Sequence, residues 1–183
     1  MPAIVSMLRG VNVGGHNPIN MGELRALYES LGLKEPQTYV QSGNVVFRSS
    51  DGDLDALSEK ISRAIEKKFD VKSAVILRTC AELKKVISNN PFAKRTGIDP
   101  SKLLVAFLES DPSAEIRKAL LAIPCEPEEV RCQGRELYIY YPNGIGRPKL
   151  TWTMIDKTVK QPVTGRNWNT VQKLFEMAKK LEG

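Results

Sequence analysis

Leu103 to Leu108 reads L-L-V-A-F-L, the longest apolar run among the 183 residues. Six residues fall far short of the roughly 20 that span a bilayer, so the run reads as a buried strand and a membrane helix is excluded. What flanks it decides the fold. Downstream, Ser113 to Leu121 has helical spacing, and Glu129–Cys132 pairs with Glu136–Tyr141 as a hairpin. Leu150 to Val159 is a second helix, and Val163 to Thr164 a short strand. Upstream the same succession has already occurred once. Ala3 to Leu8 is a strand, and Asn20 to Leu31 a helix with Asn20 as N-cap and Glu23 three residues on. Thr38–Gln41 and Val45–Arg48 are short β runs around Ser42-Gly43-Asn44. Leu54, Leu57, Ile61, Ile65 and Phe69 mark a longer helix behind Asp51 or Asp53, and Ser73 to Leu77 is the next strand. A helix from Ala81 to about Asn89 and the link N-P-F-A-K-R-T-G-I-D-P join the halves. A last helix, Trp168 to Leu181, closes the chain.

The order β-α-β-β-α-β, read twice, predicts an α+β fold of two ferredoxin-like (βαββαβ) lobes in tandem plus a C-terminal helix. The lobes are expected over 1–95, with a long Gly/Asn-rich first loop and the linking helix, and over 96–183, with the terminal helix. No repeat is evident residue by residue, so the repetition is one of architecture.

Hydrophobic residues at 42% and charged residues at 26% are ordinary for a globular chain. The start, M-P-A-I-V-S-M-L-R-G, has no basic region followed by a long apolar stretch, which points to the cytoplasm. Three cysteines, with C-x6-C as the one close pair, fit neither a zinc knuckle nor a redox C-x-x-C, and His16 is the sole histidine. No metal and no cofactor are expected. The net charge of +6 is uneven: residues 1–130 hold 17 Lys+Arg and 17 Asp+Glu, whereas residues 131–180 hold 10 against 3. A one-sided basic excess attracts anions, and the same excess also serves as a solubilising surface.

Gly10 to Asn17, G-V-N-V-G-G-H-N, has the G-x4-G spacing of a phosphate loop, but His16-Asn17 stand where that loop needs Lys and then Ser or Thr. The readings left are a turn-rich connection or a nest of backbone amides with Arg9, Asn12 and His16 nearby. Tyr138 and Tyr140 share one face of their strand, as base-stacking aromatics do in RNA-recognition sheets, with Phe107 as a further aromatic on the neighbouring run. Leu137, Ile139 and Tyr141 make the other face apolar too, which favours a sheet covered on both sides. In T-G-R-N-W-N-T-V (164–171), Trp168 opens the apolar stripe of the last helix, with Val171, Leu174, Phe175, Ala178 and Leu181, and Asn167 is placed as its N-cap. Arg166 and Asn169 have neither role. An arginine at the positive end of a helix dipole calls for an anion, either an internal carboxylate or an external guest, with Arg147 and Lys149 as neighbours.

L-R-G-V-N-V-G-G-H, M-G-E-L-R, Y-V-Q-S-G-N-V-V-F, N-P-F, P-N-G-I-G-R-P-K-L and R-N-W-N-T-V-Q-K-L together resemble the bacterial family catalogued as domain of unknown function 1697. The resemblance runs over nearly the whole chain. It implies a cytoplasmic bacterial protein with two related α+β lobes and implies no activity. Its pattern falls on Arg9, Gly10, Asn12, Gly14, Gly15, Gln41, Ser42, Gly43, Asn44, Arg166, Asn167, Trp168 and Asn169. Pro148 stands where the family commonly has Ser, and Gly165 where it commonly has Thr.

The ligand-facing set expected from these readings is Arg9, Asn12, Gly14, Gly15, Gln41, Asn44, Lys149, Arg166, Asn167, Trp168 and Asn169. Arg9–His16 and Gln41–Asn44 are expected to leave opposite edges of their sheet, so that a single site would lie between lobes and face Arg166–Asn169. The leading functional expectation is a binding module for an anionic, phosphate-bearing partner, with nucleic acid the largest class. The alternatives are an enzyme on a small phosphorylated or carboxylated metabolite, with His16 as acid/base and Arg166 and Lys149 as clamp, or a protein-interaction module.

Overall fold

Strands buried along their length and four side-chain caps set the elements in place. The computed structural model describes every residue, Met1–Gly183. Its first sheet is built from β1 (Ala3–Leu8), β2 (Lys34–Tyr39), β3 (Asn44–Arg48) and β4 (Val75–Thr79), in the order β2-β3-β1-β4 with every neighbouring pair antiparallel. Helices α1 (Met21–Ser30) and α2 (Leu54–Phe69) belong to the same lobe. The second sheet holds β5 (Leu103–Leu108), β6 (Glu129–Gln133), β7 (Glu136–Tyr140) and β8 (Val163–Asn167), in the order β6-β7-β5-β8, again antiparallel throughout. Its helices are α4 (Ala114–Leu121) and α5 (Trp152–Val159). Helix α3 (Cys80–Ser88) follows β4, and α6 (Trp168–Glu182) follows β8. Each lobe is thus the ferredoxin-like βαββαβ arrangement expected, with a C-terminal helix. The chain divides into two units, Met1–Lys84 with Lys173–Gly183, and Lys85–Gln172.

Four helices start where a side-chain oxygen meets an orphan amide: Asn20 accepts from Glu23 N (3.0 Å), Asp53 from Ala56 N (3.0 Å), Ser113 from Ile116 N (3.2 Å) and Thr151 from Met154 N (3.3 Å). In the first unit Leu57, Ile61 and Ile65 recur along one face of α2 and pack with Ile4, Leu8, Phe47 and Leu77 of the sheet. Each such side chain contributes about 1.5–3 kcal/mol by leaving water. Tyr28 of α1 stands edge-on to Phe47 at 5.4 Å and shares a 2.7 Å hydrogen bond with Ser6 Oγ. The second unit repeats the plan with Leu120, Ile155 and Val159 on Ala106, Leu137, Ile139 and Val163.

Both faces of the inner strands of each sheet are buried. Ala3, Val5 and Met7 are as inaccessible as Ile4 and Leu8, and Leu103, Val105 and Phe107 as inaccessible as Ala106 and Leu108. Phe107, Tyr138 and Tyr140 are therefore core residues. The Tyr138 hydroxyl donates to the Val86 carbonyl (2.5 Å), and Tyr140 packs on Phe92 with ring centroids 5.9 Å apart. The covered sheet expected from the apolar alternation is what forms, and these aromatics present no stacking platform.

Three strands, β2, β4 and β8, differ from expectation by two residues or more. β2 begins at Lys34, not Thr38, because an edge strand tolerates Pro36 and a register shift between Lys34 and Gln37. β4 runs two residues later than expected, and β8 extends to Asn167, because their partners β1 and β5 supply hydrogen bonds that far. These shifts place an arginine inside each fourth strand. Arg78 pairs opposite Val5, and Arg166 opposite Val105. Each is buried, and each donates Nη1 to the carbonyl of the residue before it, Leu77 at 2.9 Å and Gly165 at 2.8 Å. The halves do share a residue-level feature after all. No helix is long and apolar enough to cross a membrane.

Candidate functional site

At the C-terminal end of β1 the chain enters the loop Arg9–Ile19. Arg9 N donates to Ala74 O (3.0 Å) and to Ser73 Oγ (3.1 Å), while Ser73 Oγ donates back to Arg9 O (2.7 Å). Gly10, Asn12 and Gly14 take positive φ (67°, 55° and 56°), whereas Val11 and Val13 between them do not. Alternating handedness of this kind is the backbone pattern from which anion-binding nests are built, and within it the Asn12 amide donates to Asn17 O at 3.1 Å. Gly14 and Gly15 (φ 77°) then form a two-residue reversal closed by His16 N donating to Val13 O at 2.9 Å, the conformation for which paired glycines are suited.

Asn12 holds this loop. Its Oδ1 accepts from Ile19 N (2.8 Å), and its Nδ2 donates to Ile19 O (3.1 Å) and to Gln41 O (2.7 Å). Asn17 adds a bond from Nδ2 to Gly10 O (3.0 Å). In the facing hairpin turn, buried Asn44 donates to Tyr39 O and Ser42 Oγ, both at 2.9 Å. Val40 sits at φ 52°, a left-handed conformation that costs a β-branched residue on the order of 1–3 kcal/mol. Gly43 (φ 82°) lies so close to β1 that a Cβ there would be 2.8 Å from Leu8 Cβ.

The first loop and the β2–β3 turn thus meet, which corrects the expectation that they leave opposite edges. The crossover through α1 returns the chain so that β2 runs parallel to β1, and both strands end on the same side. Met7 pairs with Asn44, Leu8 N donates to Gly43 O (3.0 Å), and Asn12 bridges to Gln41. No second lobe is needed to unite them. Gly14, Gly15, His16, Asn17 and Gln41 are exposed there, with Val13 and Val40 exposed at 60% and 50%.

In the second unit, Arg166 belongs to β8 and not to a helix start. It is 6% exposed, and its Nη1 also donates to Thr164 Oγ1 (2.8 Å). Burial alone pulls its guanidinium down to about 10. Asn167 caps α6 by accepting from Asn169 N (2.9 Å) and ties the junction to Ser101 O through Nδ2 (3.0 Å). Trp168 is buried and opens the face continued by Val171, Leu174 and Ala178, as expected from the spacing. Asn169 and the Lys149 side chain are exposed. Gly165, where the resembling family has Thr, is explained by its neighbour: a Cβ would lie 3.0 Å from the Trp152 ring. Asn12, Asn44 and Asn167, expected to face a ligand, direct their amide groups into the fold. The Arg78 position escaped sequence reasoning because its strand was placed two residues early.

Residues 1–138 match the family described as Protein of unknown function (DUF1697). The chain belongs to that family. Among solved structures it is similar to the conserved bacterial protein SP0830 from Streptococcus pneumoniae, with a TM-score of 0.73 and 22% identity, over 97% of this chain and 98% of that one. That likeness is one of fold. None of the curated proteins matches this sequence. Within this DUF1697 chain no group of three His, Cys, Asp or Glu side chains is placed to hold a metal ion. Cys80 and Cys125 are buried and Cys132 half-buried, and burial pushes all three thiols up.

Proposed function

We propose that this protein binds an anionic, phosphate-bearing partner at the junction of the Arg9–Ile19 loop with the Gln41 turn. One observation carries the reading: an exposed glycine-rich loop of alternating handedness is held rigid by asparagine side chains that bond its own backbone. The Gly14 and Gly15 amides donate to no acceptor of the chain, so they are donors held ready in place. A preformed ring of amides binds an oxyanion with little ordering cost, because the loop entropy is already lost on folding. The left-handed Val40 beside it supports the same reading, since backbone strain of this kind collects at binding and catalytic loops.

Nucleic acid fits as a partner gripped by its phosphates, since the sheet aromatics are in the core. The test is amide-resolved NMR of the labelled protein at low ionic strength, titrated separately with pyrophosphate, single-stranded RNA and duplex DNA. Shifts at Gly10, Gly14, Gly15 and Gln41 are expected, and log affinity for a polyanion should fall linearly with log salt. Absence of shifts at these amides with all three would remove the proposal.

A further inference from the structure

A recess of about 530 Å³ opens in the second unit where the end of α4, the Pro124–Glu128 turn and the start of β6 come together. Leu120, Ile123, Pro124 and Val130 give it an apolar wall, and Glu128 stands in its lining. Glu128 is 7% exposed, more than nine-tenths buried. Its Oε1 accepts the backbone amides of Lys149 and of Leu150, the latter at 3.0 Å. Neither bond reaches Oε2, and no ion pair of the protein includes this carboxylate. The next residue shows the contrast: Glu129 is shared by Arg95 at 2.6 Å and Arg131 at 3.4 Å. Burial first, and then the Glu128 carboxylate, push the Cys125 thiol up and raise Tyr141 to about 12.

Two amides settle one oxygen of a buried carboxylate but bring no opposite charge. Oε2 keeps its acceptor capacity at the edge of an apolar wall, and the complement of that arrangement is a compact cation on an apolar stem. We propose that this recess binds a primary alkylammonium group, its nitrogen donating to Glu128 Oε2 and its chain lying on Leu120, Ile123 and Val130. A guanidinium fits less well, because its fork needs two acceptor oxygens and Oε1 is already engaged. An anion is opposed by Glu126, Glu128 and Glu129, which outnumber Arg131 and Lys149 in the lining. Lys149, expected from the sequence to clamp an anion, here stands among carboxylates. The size falls in the range of small-ligand pockets, about 300–1,000 Å³, and the lining joins an apolar wall to a charged rim of Glu126, Glu129, Arg131 and Lys149 around Glu128. The proposal uses none of the loop residues of the first unit and does not depend on the anion reading.

Calorimetric titration of the full chain with n-pentylamine, and with n-pentanol as its neutral isostere, tests the idea. The amine should bind at least ten-fold tighter than the alcohol. Glu128→Gln, whose amide oxygen still accepts the two backbone amides, should lose at least ten-fold. Equal binding of amine and alcohol, or unchanged amine affinity in a folded E128Q, overturns the proposal. Should that variant fail to fold, Lys149→Gln alters only an exposed side chain. Removing its repulsion should tighten pentylamine about two-fold, whereas unchanged or weakened amine binding overturns the proposal. A blocked lysine amide as a second probe separates the sources: binding equal to or tighter than pentylamine means a lysine side chain of another protein, and binding of pentylamine alone means a free amine.

Discussion

Replacing Gly43 with alanine isolates the contact that fixes the hairpin turn against β1. Gly43 sits at φ 82°, and a Cβ there would meet Leu8 Cβ at 2.8 Å, closer than real Cβ atoms come. Left-handed backbone costs an L-residue roughly 1–2 kcal/mol. The methyl must also displace Leu8, which is 0% exposed and packed with Ile4 and Phe47, and overpacking of that kind costs about 1–3 kcal/mol more. The sum is about 2–5 kcal/mol, which at this chain length lowers Tm by roughly 4–20 °C. Gly15→Ala is the control: φ is 77° but nothing lies within 4 Å of its Cβ, so only the backbone cost of roughly 1–2 kcal/mol applies. Thermal unfolding followed by circular dichroism reads both. Equal losses in the two variants would show that Leu8 yields freely, and the argument that the turn is locked onto the strand would fail.

Asn12→Ala removes the side chain that bonds Ile19 and Gln41, and should cost about 1–3 kcal/mol while raising hydrogen exchange at the Ile19 amide. Gly165→Thr sets a branched side chain against Trp152 (3.0 Å) and Leu104 (3.2 Å) and should cost about 1–3 kcal/mol. Adding Trp152→Ala should then cost less than the sum of the two changes, as a double-mutant cycle measures. Burial raises Tyr28, Tyr138 and Tyr141 above the ordinary 10.0, Tyr141 to about 12. Because the folded state holds these protons more tightly, the stability they contribute is whole below pH 10 and is lost as pH rises beyond it. Their tyrosinate absorbance at 295 nm should therefore stay absent at pH 11 while the protein is folded and appear with unfolding.

The topology was legible because hydrophobic period and caps agree locally. Asn20 and Ser113 each mark a helix start within a residue, Asp53 is the cap of the two candidates Asp51 and Asp53, and L-L-V-A-F-L has no reading other than a strand once its length is counted. Strand ends were less legible where the ladder partner decides them. Lys34 to Gln37 contains Pro36, which argues against a strand from propensity alone, yet an edge position leaves the missing donor without consequence. At Arg78 and Arg166 a charged residue argues against a buried strand, and there the opposing backbone of β1 and β5 prevails over side-chain preference.

The residues of the first loop and the hairpin turn stood out in the sequence, whereas their geometry did not. Asn12, Gln41 and Asn44 stood out by type, but asparagine serves equally as ligand and as fastener, and only three dimensions show Asn12 and Asn44 fastening two turns while Gln41 lends its carbonyl. The convergence of those turns does follow from chain direction, since a helix crossover between β1 and β2 obliges both to end on one side. The two arginines carry the same lesson further. Each bonds the carbonyl of the residue before it, which any sequence supplies, so this bond is the same whether that residue is Leu77 or Gly165, and the arginine keeps its register opposite Val5 and Val105. Two lobes of one topology can in this way share a backbone register while the side chains around it differ.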